Sequence, residues 1–173
     1  APGDGELKRL YVLASHQNGG WGGRFVQSQT DKNRWEDGPT VADYNPYTKE
    51  KMDNVYPQIR WVDAIQNDFA ARVQWTMKDY AQANHAPEVA VEGSLDLTAK
   101  AGQTITIKGF AKDPDGDKLS YKWWQYQEAG TYAGKVQIKH ADRKDLTVTL
   151  PQDVKAGETI HLIFEVKDAG TPP

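Results

Sequence analysis

The feature that most constrains the fold is a series of short segments, after about Pro87, in which apolar and polar residues alternate. A period of two is typical of a half-buried β-strand. Gly, Pro and Asp residues separate the segments, which are 89–91, 104–111, 118–126, 136–139, 146–150 and 159–167. Strands at this spacing with turn signals between them predict an immunoglobulin-like (cadherin-like) β-sandwich in a mainly β protein.

The chain before Pro87 has a different pattern. Apolar residues at spacings of three and four predict one helix over about 57–82, and its stripe is Val62, Ile65, Phe69, Val73, Met77 and Tyr80. Residues 6–14 predict a buried strand or a short helix. Between this segment and the predicted helix at 57–82, the sequence shows little periodicity. Because so long a loop is uncommon inside a compact domain, we expect residues 1–85 to be the last part of a larger domain and residues 86–173 to be the β-sandwich.

Composition excludes several function classes. The formal net charge is −3 with both signs interleaved, so nucleic acid is not an expected partner. No apolar run of about 18 residues predicts a membrane span. The chain has no cysteine, which excludes disulfides and thiol catalysis. Its four histidines are scattered, and no metalloprotease or nucleophile-elbow motif occurs, so we expect no catalytic residues and a binding role.

Aromatic residues on one predicted strand are candidates for ligand binding. If Trp123 points into the core, Trp124 and Tyr126 point outward, because alternate residues of a strand share a face. In an immunoglobulin-like topology the neighbouring strand would bring Ile163 beside them. An outward apolar cluster is typical of a binding surface or an interface, so the face is either a sugar-stacking platform or a surface that packs against the preceding domain.

The segment Asp113-Pro-Asp-Gly-Asp117 is a candidate metal site. Asp113, Asp115 and Asp117 present three carboxylates at alternate positions around a glycine, and carboxylate oxygens are ligands that calcium prefers. The alternative is an acidic β-turn without a metal, since Asp-Gly is favoured in turns for backbone reasons. Asp168 follows a later strand and could reach the same end of the sandwich.

Four glycines surround one tryptophan in Gly19-Gly-Trp-Gly-Gly-Arg24. Glycine permits backbone conformations and close approaches that other residues do not. The loop could present Trp21 and Arg24 to a ligand, or it could be a structural loop that fits beneath another part of the backbone.

Four stretches of the chain resemble a family of exported bacterial proteins described as cellulose-binding: Gly19–Phe25, 60–72, 84–87 and 113–132. The last of them includes Trp124, Tyr126 and Tyr132. In that family a nucleoside-hydrolase-like domain precedes a C-terminal immunoglobulin-like domain, and residues 166–173 resemble the end of the latter. The resemblance implies a non-catalytic carbohydrate-binding module that is secreted, periplasmic or at the cell surface. Our candidate sugar contacts are Trp124, Tyr126, Tyr132, Trp21 and Arg24.

Two departures from the family pattern limit what the resemblance implies. Nucleoside hydrolases carry an N-terminal aspartate cluster that binds calcium, and no such cluster opens this chain, so hydrolase activity is not implied for it. The alternative role is therefore a structural accessory domain of a hydrolase whose catalytic part lies elsewhere. The family's immunoglobulin-like domain usually continues beyond Thr-Pro-Pro, so we expect the exposed edge of strand 159–167 to pair with the rest of the parent protein or with another chain.

Overall fold

The computed structural model describes residues 25–37, 43–44, 50–52 and 59–172, and these form a mainly β structure with one α-helix. The chain divides into two compact units, residues 1–66 and 67–173. Trp21, Arg24 and the predicted element at 6–14 lie outside the described residues. The domain boundary at 85/86 stays a prediction.

Short antiparallel hairpins form the described β-structure of the first unit. Strand β1 (Phe25–Gln27) pairs with β2 (Trp35–Asp37), and β3 (Asp43–Tyr44) pairs with β4 (Lys51–Met52). The sequence did not predict them, because strands of two or three residues are too short to display a period-two pattern.

Helix α1 (Val62–Met77) is shorter than the predicted helix 57–82. It ends before Asp79, whose φ of −64° and ψ of 154° are extended, and a separate 3₁₀ turn follows at Tyr80–Gln82. The predicted N-terminal position at Pro57 lies outside the described residues. The apolar stripe is present, but α1 contains no buried residue, and Phe69 and Met77 are 65% and 73% exposed.

Six strands make up the β-structure of the second unit: β5 (Glu88–Val91), β6 (Thr104–Ile107), β7 (Gly109–Lys112), β8 (Ser120–Gln125), β9 (Leu146–Thr149) and β10 (Leu162–Lys167). They form three antiparallel pairs, β5 with β7, β6 with β9, and β8 with β10. The predicted adjacency of the two longest segments, 118–126 and 159–167, is therefore confirmed. All six strands lie within or close to the segments predicted from alternation.

The β6–β9 and β8–β10 pairs contribute side chains to one hydrophobic core. Its buried members are Trp123, Val136, Leu146 and Val148, and seven half-buried apolar residues of neighbouring segments pack against them. The indole of Trp123 stacks on the ring of Phe164 at a centroid distance of 4.4 Å and donates a hydrogen bond to the Lys144 carbonyl at 3.2 Å. Trp123 thus satisfies its one polar atom while it fills the core, as predicted from its inward position.

Two predicted strands differ in the structure. Segment 104–111 is divided into β6 and β7, so that the chain leaves β9 and pairs with β5. Gly109 marks the division: a side chain there would collide with the Lys144 carbonyl and the Phe164 ring, and only glycine allows so close an approach. Segment 136–139 forms a single bridge, between Ile138 and Val148, rather than a strand.

Candidate functional site

The outer face of the β8–β10 pair carries Trp124. The register places Trp124 opposite Ile163, and Lys122 opposite Glu165. Because alternate residues share a face and Trp123 is buried, these four residues lie on the side of the pair that faces away from the core. The predicted proximity of Trp124 and Ile163 is therefore confirmed.

Hydrogen bonding fixes the orientation of the Trp124 indole. Its Nε1 donates to Glu165 Oε2 at 3.1 Å, across the strand pair. The Glu165 carboxylate also lies 3.8 Å from Lys122 Nζ and 3.7 Å from Lys167 Nζ. Trp124 is half-buried. The face thus combines an oriented aromatic ring with one carboxylate and two ammonium groups, which are groups that can exchange hydrogen bonds with hydroxyls.

Tyr126 differs from its predicted outward exposure, because it is only 8% exposed. Strand β8 ends at Gln125, so the alternation that predicted its orientation does not reach Tyr126. Its backbone N–H donates to the His161 carbonyl at 2.9 Å. The Tyr126 ring lies 5.7 Å from the Trp124 ring and 5.8 Å from the His161 ring. Tyr126 therefore contacts Trp124 but offers little ring surface of its own.

Tyr132 is also buried and belongs to a different network. It is 7% exposed, and its hydroxyl donates to Asp153 Oδ1 at 2.9 Å. This hydrogen bond, together with desolvation and the negative charge of Asp153, raises the pKa of the Tyr132 phenol. The arrangement is typical of a structural tyrosine whose hydroxyl has a partner. Trp124 and Tyr126 are thus brought together, whereas Trp21 and Arg24 lie outside the described residues.

The segment 113–117 is a tight turn organised by Asp113. Its Oδ1 accepts hydrogen bonds from the backbone N–H groups of Asp115 and Asp117, each at 2.9 Å. Gly116 has φ of +84°, a left-handed conformation that favours glycine. One ligand atom from each of the three aspartates lies within 4.8 Å of the other two. The three carboxylates therefore converge, as the sequence predicted.

His85 binds one carboxylate of this cluster. Its backbone N–H donates to Asp115 Oδ2 at 2.7 Å, and its ring Nδ1 lies 3.0 Å from Asp115 Oδ1. Desolvation acts to raise the pKa of Asp115, but the hydrogen bonds and charge of His85 outweigh it, and the pKa is lowered. The Tyr80 ring contacts the His85 ring in a tilted arrangement, with a centroid distance of 3.9 Å and an interplanar angle of 33°. Asp115 is thus held toward the segment that precedes β5.

A fourth carboxylate, that of Asp168, is 6% exposed and directly follows β10, whose last residue Lys167 pairs with Ser120, three residues after Asp117. Its Oδ2 accepts from Asn84 Nδ2 at 3.2 Å and its Oδ1 from the Gly170 N–H at 3.0 Å. Burial raises the pKa of Asp168, these hydrogen bonds oppose the rise, and the negative charges of Asp113 and Asp117 add to it. The suggestion that Asp168 reaches this end of the unit is borne out.

Sequence reasoning missed three polar partners of these sites. Asn84 and His85 lie in a segment that entered only through the family resemblance, and no local pattern singled out Glu165. Each reaches its partner from a sequence separation of 30 residues or more: 84 for Asn84 with Asp168, 30 for His85 with Asp115, and 41 for Trp124 with Glu165. Such pairs leave no local periodic signal, so only the fold reveals them.

Comparison with known proteins supports the resemblance found in the sequence. Residues 104–173 match the family model described as the C-terminal domain of cellulose-binding protein Sde0182. The chain is also similar to the solved structure of a nucleoside hydrolase-related hypothetical protein from Saccharophagus degradans that is associated with carbohydrate metabolism. That similarity has 29% identity and a TM-score of 0.66, and it covers 91% of this chain and 40% of the solved chain. No curated protein matches the chain.

These findings confirm the resemblance: residues 104–173 match a domain of a cellulose-binding protein, and the chain is similar in structure to a nucleoside hydrolase-related protein. The chain spans two fifths of the length of the solved relative, so the activity of a whole protein of that length does not transfer to it. Within the described residues, no helix has both the length and the apolarity needed to cross a membrane.

Proposed function

We propose that residues 86–173 are a non-catalytic carbohydrate-binding module of an exported bacterial protein, and that the ligand is a cellulose-like polysaccharide. The observation that carries the proposal is the match of residues 104–173 to a domain of a cellulose-binding protein. The matched region includes the whole β8–β10 pair and hence the outer face with Trp124.

Trp124 is the residue that we assign to sugar contact. Sugar rings stack their C–H faces on indoles, which combines burial of area with weak polar contact. Glu165 holds the indole at its Nε1 edge, so little side-chain entropy would be lost when a sugar binds. Lys122 and Lys167 flank the same carboxylate and are candidate hydroxyl partners. Tyr126 would act by supporting the Trp124 ring, because it is itself buried.

The test is retention of the full chain on insoluble cellulose, with xylan and chitin as alternative polysaccharides. Trp124→Ala should weaken retention about tenfold or more, since one stacked aromatic contributes on the order of 1–3 kcal/mol by analogy with bases on aromatic side chains. Trp124→Phe should retain part of the binding. Phe110→Ala is the matched control, because it removes a 54% exposed aromatic ring from β7 and should leave retention unchanged.

Two results would contradict the assignment. Retention that is unchanged in folded Trp124→Ala would exclude this face as the sugar site. Retention that falls equally in Phe110→Ala would indicate non-specific adhesion through exposed rings. Circular dichroism of each variant establishes that the fold is retained.

A second candidate function is a structural accessory domain of a nucleoside-hydrolase-like protein. It is favoured by the burial of Tyr126 and Tyr132, which leaves Trp124 as the single half-buried ring among the described candidates. The similarity to a nucleoside hydrolase-related protein is also consistent with it. A folded wild-type chain that none of the polysaccharides retains would favour this role over the first.

A further inference from the structure

One oxygen of the aspartate turn is left without a partner. Asp113 is 8% exposed, and although its Oδ1 accepts two backbone N–H groups, its Oδ2 is buried and has no hydrogen-bond partner. An ionised oxygen that is removed from water without compensation is costly. The role of Asp113 in the turn accounts for Oδ1 but not for Oδ2, so a metal-free acidic turn does not explain the whole side chain.

Other carboxylates lie close to Asp113. One ligand atom from each of Asp113, Asp115 and Asp117 lies within 4.8 Å of the other two, and the pairing of Lys167 with Ser120 places the buried Asp168 at the same end of the unit. Four carboxylates at one end of the unit repel one another when ionised. A bound divalent cation would reverse that repulsion and would provide the missing partner.

We propose that this cluster is a calcium site in which Asp113, through its unpartnered Oδ2, Asp115 and Asp117 are the protein ligands, and Asp115 is shared with His85. All donors are oxygens, which suits a hard cation. Calcium accepts six to eight oxygens at about 2.3–2.6 Å in flexible geometry, whereas magnesium requires a near-ideal octahedron. Three carboxylates gathered by one irregular turn therefore fit calcium better than magnesium. The inference is independent of polysaccharide binding.

The site has a structural consequence for the segment that precedes β5. Asp115 holds His85, and Asp168 holds the side chain of Asn84. Asn84 also donates to the Pro172 carbonyl at 2.8 Å and accepts from the Trp75 indole at 3.0 Å. A cation that fixes Asp115 therefore also fixes His85 against the aspartate turn, while Asp168 and the Pro172 carbonyl hold the neighbouring Asn84.

The experiment is calcium titration of the full chain by calorimetry, after treatment with chelator, together with thermal unfolding. We expect one calcium ion per chain and a rise in melting temperature with calcium that chelator reverses. Magnesium should bind at least tenfold more weakly. Extracellular calcium modules bind on the order of 10⁻⁴–10⁻³ M, so the titration must extend to millimolar calcium.

Isosteric variants test the ligand set. Asp113→Asn retains Oδ1 as an acceptor for the two turn N–H groups but replaces Oδ2 with an NH2 group, which cannot bind a cation. It should weaken calcium binding at least tenfold. Asp117→Asn provides the same test if Asp113→Asn does not fold. Asp142 is exposed, so Asp142→Asn is the control and should bind as the wild type does.

The outcomes decide the proposal. No calcium binding by the folded wild-type chain up to millimolar concentration would overturn it. Binding that folded Asp113→Asn or Asp117→Asn retains at full affinity, or that Asp142→Asn loses, would place calcium elsewhere and would equally overturn it. Loss in the cluster variants with retention in the control would support it.

Discussion

Helix α1 and the core of the second unit contrast in how the structure uses their apolar residues. Both show a clear periodic pattern in the sequence. In β9 the pattern is realised as burial, with Leu146 and Val148 at most 1% exposed and the intervening threonine exposed. In α1 no residue is buried, and the five stripe residues within it are between 37% and 73% exposed.

The difference shows that periodicity predicts which face of an element is apolar but not how much of that face becomes buried. Strand β9 gains a partner from β6, and both contribute to the core around Trp123. Burial of apolar area stabilises a fold roughly in proportion to the area removed from water. The stability of the second unit should therefore depend on the β core far more than on α1.

The largest effect is expected for Trp123→Ala, compared with Phe69→Ala in α1. Trp123 is 4% exposed and stacks on Phe164, so its removal should lower the free energy of unfolding by about 3–5 kcal/mol. Phe69 is 65% exposed, and its removal should change that free energy by no more than about 0.5 kcal/mol. Urea unfolding followed by circular dichroism measures both. Similar losses for the two variants would refute the contrast.

A smaller effect is expected at high pH from Tyr132. Its hydrogen bond to Asp153 holds the folded pKa above the usual tyrosine value of about 10. Because the folded pKa is the higher one, the stabilisation is complete below about pH 10 and is lost as the pH rises through the folded pKa.

The measurement is the free energy of unfolding between about pH 9 and pH 12. Tyr132→Phe should remove part of the decline, whereas Tyr80→Phe, which changes an exposed tyrosine after α1, should leave it in place. Coincident curves for wild type and Tyr132→Phe would show that this hydrogen bond does not contribute to stability.

The smallest effect is expected on the surface of α1. Arg72 Nε and Asp68 Oδ2 form an ion pair at 2.7 Å with i,i+4 spacing. Both side chains are at least one-third exposed, so Asp68→Asn should cost about 0.2–0.5 kcal/mol at low salt and less at 1 M salt. A double-mutant cycle with Arg72→Ala isolates the pair. A coupling that salt does not reduce would contradict a screened surface interaction.

Local patterns in the sequence predicted much of the second unit. The alternation in 118–126 and 159–167 correctly indicated that Trp123 is buried and that Ile163 lies beside Trp124. Asp-Gly chemistry correctly indicated the turn that gathers Asp113, Asp115 and Asp117. The prediction for Tyr126 was wrong about exposure, because alternation applies only within a strand and β8 ends one residue earlier.

The sequence by itself determined the strand segments, the inward tryptophan, the acidic turn and the family resemblance, since each depends on residues close together in the chain. Only the tertiary structure decided which polar groups meet across the chain: Glu165 with Trp124, His85 with Asp115, and Asn84 with Asp168. It also decided that Asp113 Oδ2 is buried without a partner. The physical reason is that burial and long-range hydrogen bonds depend on how segments pack, and packing brings together residues whose separation in sequence carries no periodic signal.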